Sequence, residues 1–251
     1  MASPISIRFM RALAGLALAC VGAAHAADDV PTSPPVAFKF TTGIYQLSGG
    51  GLPSGTSLDL NLRATGSFGN AWIGQYRSPV LAITQTRIGW DRSFKAGAFR
   101  FVPSLEVATG GYVGTSAYLE TGETWYGGAG LGRTNLQNFV NLNFDPGDAW
   151  TLAGGYRWTD NTSLGLLVVR DNRLNPDQQN VHLTYRTPIA GDNRLTLDLL
   201  NKRGLVAGVP IQRTGFSVGY DWPRFFVRLA VDPLVNFTTQ DMVRLSIGTR
   251  F

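Results

Sequence analysis

The chain is poor in the residues that carry most protein chemistry. It has one cysteine and two histidines in 251 residues. The cysteine, Cys20, lies in an N-terminal apolar stretch that processing is expected to remove. The mature chain then has no disulfide framework and no thiol nucleophile. A single remaining histidine, His182, is too few for a His/Cys metal set, so no metal and no cofactor are expected. Charge is sparse at 16% of residues. Long apolar runs are missing too. The longest after the leader, Leu164 to Val169, is 6 residues, far short of the ~18 to 20 a membrane helix needs. That excludes crossing a bilayer as helices. It does not exclude crossing as strands, because alternating apolar and polar residues average to neutral hydropathy. The mean hydropathy is indeed near zero.

What is present begins with a secretory signal. Arg8 and Arg11 precede the small apolar run Ala12 to Ala24, and Ala24-His25-Ala26 is a small-x-small cleavage site. Residues 1–26 are read as signal peptide, with cleavage after Ala26. A reading of Cys20 as a lipoprotein anchor fits less well, because Ala17-Leu18-Ala19 is a poor match to what should precede it. The mature part retains 20 basic and 17 acidic side chains. A charge of +3 is too weak to point to nucleic acid. Residues 27–35 form a Pro-rich polar leader.

From residue 36 to the end the chain reads as one domain of extended segments without a helical pattern. In Ser57 to Ala64, leucines 58, 60 and 62 alternate with Asp59, Asn61 and Arg63. Less regular segments fall near 70–77, 81–91, 98–107, 111–120 and 124–133, separated by Gly- and Pro-containing turns. Val140, Leu142 and Phe144 alternate with Asn141 and Asn143, which predicts a strand ended by a turn at Asp145–Asp148. Further strands are expected at 149–158, 164–170, 179–186, 194–199, 213–220, 225–231 and 241–251. Turns are expected at 159–162, 188–193 and 221–224, and longer loops at 171–178, 202–212 and 232–240.

The last strand is the most regular. Val243, Leu245, Ile247, Thr249 and Phe251 fall on one face; Arg244, Ser246, Gly248 and Arg250 fall on the other. A strand that stops on an aromatic residue with its apolar face complete resembles the closing strand of Gram-negative outer-membrane β-barrel proteins, which the barrel assembly machinery reads. The resemblance implies an all-β fold, a transmembrane antiparallel up-and-down β-barrel over residues 36–251. The strand number should be even, and the expectation is 14 strands, with 12 as the runner-up. It implies a location in the cell outer membrane, with lipid, the assembly machinery and periplasmic chaperones as partners. Val243, Leu245, Ile247 and Phe251 would form the assembly signal. The tight turns and the aromatics Trp158, Trp222 and Phe225 would lie at the periplasmic side with Phe251. A soluble periplasmic all-β protein is the competing fold reading. Its strands would carry more Lys and Glu on the solvent face than the Gly-, Asn- and Thr-rich polar faces here.

Alternation aims Lys39, Arg63, Arg157, Arg186, Arg194, Arg228, Arg244 and Arg250 at the lumen, with Asp59 and Asp198. Guanidinium groups favour carboxylate and phosphate, so a porin-like small pore, or a structural or binding barrel, for small anionic or polar solutes is the expected function. The lumen and ligand candidates are Arg63, Arg157, His182, Arg186, Asp198, Arg228 and Arg244. Narrow barrels also fill themselves with such side chains, so ion pairs that plug the lumen are the competing reading. The enzyme alternative is an outer-membrane lipid hydrolase using His182 as base. His182 is expected to point inward beside Thr184 and across from Thr196, but no serine motif accompanies it. Gly127 to Gly132 is read as close-packed strand, since no helix follows for a nucleotide loop.

Overall fold

The structure is a computed structural model in which residues 35–51 and 53–251 are described. The expected signal peptide and all of the leader but Pro35 lie outside the described residues.

The strands run β1 (Ala37–Ser48), β2 (Gly55–Gly66), β3 (Gly69–Ser78), β4 (Ile83–Asp91, continued as Phe94–Ala96), β5 (Phe99–Ala108), β6 (Tyr112–Thr121), β7 (Trp125–Thr134), β8 (Ala149–Arg157), β9 (Ser163–Asp171), β10 (Gln179–Pro188), β11 (Arg194–Val206), β12 (Val209–Asp221), β13 (Phe225–Asp232) and β14 (Asp241–Arg250). Each pairs antiparallel with its neighbours in the chain. The two parts of β4 are one strand, because both keep the same register on β5, Asp91 opposite Ser104 and Phe94 opposite Phe101. The break between them faces Pro103. Arg92 donates its N–H to the Pro103 carbonyl at 3.3 Å, but proline has no N–H to return, so the ladder lapses for two residues.

Closure follows from the last pairing. β14 lies against β1 from Arg250 opposite Lys39 to Asp241 opposite Ser48. The sheet therefore has no free edge, and its backbone groups are paired without water, the condition for crossing hydrocarbon. The side chains are sorted in the reverse of a soluble protein. Leu58, Leu197, Leu199, Phe216, Leu245 and Ile247 are exposed on the outer wall, while Asp59, Gln85, Arg87, Asn180 and Lys202 are buried inside. In water that outer wall would be penalised at about 25 cal/mol per Å² of apolar surface; against lipid tails it is not.

At the end where β1 starts and β14 finishes, here the near end, aromatic side chains ring the rim. Trp125, Tyr156 and Trp158 form a chain of edge-to-face contacts at 4.7 Å, and Tyr220 meets Trp222 at 4.6 Å. Such belts sit at the lipid–water boundary.

Two expectations need correction. Residues 202–212 are not a loop. β11 and β12 run on to a two-residue turn, Ala207-Gly208, with φ of 50° and 79°, the left-handed pair that matches strand twist in a hairpin. Residues 138–144 are not a strand. They belong to a segment between β7 and β8 that folds into the barrel. The total of 14 stands because the extended segment from Ala37 and the six that follow it before residue 137 are all strands, where an even total was expected to cost one of these seven.

Candidate functional site

The inward segment 135–148 enters from the far end of the barrel and lies across the lumen. Its alternation is real, but it serves a different partner. Leu142 and Phe144 join a buried apolar cluster with Tyr45, Leu47, Tyr76, Val235 and Met242, and Asn141 and Asn143 face a cavity. Side chains take the place of a neighbouring strand. The Gln85 amide donates to the Val140 carbonyl at 3.0 Å and accepts the Val140 N–H at 2.8 Å. Asn180 donates to the Phe144 carbonyl at 2.9 Å. Asn236, from the far-end loop between β13 and β14, donates to the Asn141 carbonyl at 3.0 Å. Tyr112 stacks on Phe139 at 3.9 Å. Gly132 on β7 gives the segment room, since a Cβ there would meet the Gly147 carbonyl.

The return of the segment is held by Asp148. It accepts from the Thr134 N–H at 3.1 Å and from Arg173 at 3.1 Å, and from the Thr134 hydroxyl. Burial alone would push this carboxyl up. The bonds from Thr134 and the Arg173 guanidinium outweigh burial and hold it below the usual carboxylate range.

His182 is part of the same fastening. Its Nδ1 meets Asp198 at 2.9 Å and its Nε2 meets Asp145 of the segment at 3.3 Å. Thr184 donates to the other Asp198 oxygen at 2.6 Å. Both ring nitrogens thus face carboxylates, and neither is bonded to a hydroxyl nucleophile among the described residues. The expected register was off by four residues: His182 stands opposite Leu200, and Thr196 opposite Arg186.

Between segment 135–148 and the wall formed by β13, β14 and β1 to β5 lies a cavity of about 360 Å³. Six cations line it, Lys39, Arg63, Arg87, Arg228, Arg244 and Arg250, with four anions, Asp59, Asp91, Glu106 and Asp221. Arg87 is paired with Asp59 at 2.8 Å, Arg63 with Asp91 at 3.8 Å, and Arg250 with Asp221. Lys39, Arg228 and Arg244 have no such partner among the described residues. At the near-end mouth Lys39 stands directly between Arg250 on β14 and Arg63 on β2. Like charges opposite one another across a ladder destabilise a sheet. Deeper in, Arg244 lies over the Phe144 ring at 5.0 Å and donates to the Leu142 carbonyl at 3.3 Å. Its buried Nε, and Nη1 of Arg87, have no hydrogen-bond partner among the described residues.

No protein-family model matches the chain, and no curated protein does. Among solved structures it is similar to the Acinetobacter baumannii outer membrane protein Omp33. The TM-score is 0.56 at 9% identity, over 85% of this chain and 97% of that one. The fold is that of an outer-membrane β-barrel. Two further similarities are weaker, to the NanC porin with a TM-score of 0.46 at 11% identity and to A. baumannii OccAB3 with 0.46 at 7%. They cover 84% and 86% of this chain and 98% of each of those.

Within this barrel the sequence candidates divide. Arg63, Arg228 and Arg244 come together in the cavity. Arg157 lies on the opposite wall, fastened to Glu120 at 2.7 Å with Arg100 at 2.8 Å beside it. Arg186 faces inward outside the cavity, and His182 and Asp198 serve the inward segment. Sequence reasoning missed Gln85, Arg87 and Glu106. Gln85, Arg87 and Asp91 do alternate with Thr86, Ile88 and Trp90, a signal present in the chain but obscured by the glycines and the irregular turn around it.

Proposed function

We propose that this barrel is a narrow, anion-favouring pore of the outer membrane, with a basic vestibule at the near end and segment 135–148 as an internal constriction. The observation that carries the reading is the row Arg250, Lys39, Arg63 on three adjacent strands. Asp221 and Asp91 answer Arg250 and Arg63, but Lys39 between them has no carboxylate among the described residues, which suits a lumen that attracts anions. Arg228 and Arg244 continue the unpaired positive charge inward.

In this reading the near end, with its aromatic rim and tight turns, faces the periplasm, and the far-end loops face outward. Delivery and insertion would use periplasmic chaperones and the barrel assembly machinery, with Val243, Leu245, Ile247 and Phe251 presenting the recognised face. Small anionic solutes and membrane lipid are the remaining proposed partners. Vesicle swelling tests the pore reading. Vesicles holding the purified chain should swell faster in succinate than in a diamine of equal length. Changing Lys39 and Arg228 together to Gln should remove the preference. Equal rates for the two solutes in the unaltered protein would refute it.

A further inference from the structure

We infer that the lumen cavity is a site for small zwitterions, solutes such as amino acids and short peptides that carry a carboxylate and an ammonium together. This rests on the anion-favouring reading above and makes it more specific. The two walls of the cavity are charged oppositely. One wall holds Lys39, Arg228 and Arg244, none of them in an ion pair among the described residues. The other holds Asp59, Arg87 and Glu106. Arg87 gives Nη2 to both Asp59 oxygens, at 2.8 and 2.9 Å, so its charge is answered. Glu106 has neither an ion pair nor a hydrogen bond among the described residues, which leaves that wall with a surplus negative charge.

Arg228 on β13 stands between Gly219 on β12 and Ser246 on β14. Glu106 on β5 stands between Gly89 on β4 and Gly114 on β6. Side-by-side neighbours in a ladder normally cover one another. Arg228 thus has only small ladder neighbours, whereas the Trp72 and Tyr112 rings lie over the two glycines beside Glu106; both charged groups line the cavity. Its volume of about 360 Å³ lies at the low end of the range of small-molecule sites, about 300–1,000 Å³. A solute carboxylate would take Arg228, with Lys39 and Arg244 beside it. Its ammonium would take Glu106.

Calorimetric titration of the full chain in detergent tests this with three probes of one length: glycylglycine, its N-acetyl derivative and glycylglycinamide. Glycylglycine should bind roughly tenfold tighter than either blocked form, the effect of one charge-assisted contact. Glu106→Gln should bring glycylglycine down to the level of the N-acetyl derivative and leave the latter as it was. Arg228→Gln should weaken both. Heat-modifiable migration on gels shows that each variant still forms the barrel. Equal binding of glycylglycine and the N-acetyl derivative in the unaltered protein overturns the zwitterion site and leaves the anion reading standing. No binding of any probe by a chain that still prefers succinate does the same. Tightest binding of the amide overturns both.

Discussion

At Gln85 one side-chain amide does for the backbone of Val140 what a neighbouring strand does elsewhere in the barrel. Gln85→Leu would leave a buried N–H and a buried C=O without partners, each costing about 1–3 kcal/mol. The segment should loosen while the outer wall stays intact, and single-channel conductance should rise. An unchanged conductance would show that Gln85 is not a fastening point. Asp148 acts on the same segment from the far end. Its carboxyl is held below its unfolded value. The stability it adds is therefore present above the unfolded pKa, near 4, and is lost as pH falls through the lower folded value. Acidification below about pH 4 should raise conductance in the unaltered chain. Asp148→Asn should raise it at neutral pH and remove the acid step. At this scale the sequence was legible where alternation fixed a side. Four of the arginines assigned to the lumen by period, Arg63, Arg228, Arg244 and Arg250, line the cavity. It was not legible where pairing decided the outcome, because Arg157 and Arg228 look alike in sequence and only the fold sets Glu120 against one of them.

Among the elements, segment 135–148 is where local pattern and tertiary role part. Period-2 alternation reports an extended chain with one apolar and one polar side, and Val140 to Phe144 has both. It cannot report whether the backbone lies against another strand or against side chains such as Gln85 and Asn180. The reverse error occurred at residues 202–212. Their alternation is weakened by Lys202, Arg203 and Gly204, yet hairpin pairing carries both strands to Ala207-Gly208. The strand total was recoverable because closure demands an even number, while which segments made it up was not. If segment 135–148 is a constriction and not a part of the wall, it is dispensable for folding. Replacing residues 137–146 with a short Gly-Ser link should leave heat-modifiable migration unchanged and increase conductance severalfold. Loss of the folded form would mean that the wall depends on it.

For the whole molecule the governing fact is the inversion of polarity, with leucines outward and charges inward. Leu199 lies mid-strand on the outer face, exposed at 49%. Leu199→Arg should destabilise the barrel in vesicles by about 2–4 kcal/mol if it faces the middle of the bilayer, measured by denaturant unfolding. A soluble protein would tolerate the change. This inversion was legible from the start, since it rests on a period repeated in nearly every strand. The proposed function rests instead on a few unpaired charges on the inner face. The most direct test of their role is the reversal potential of single channels in a planar bilayer under a potassium chloride gradient. The unpaired Lys39, Arg228 and Arg244 predict a potential on the chloride side, moving toward potassium when Lys39 and Arg228 are changed to Gln. A potential on the potassium side in the unaltered protein would contradict the account.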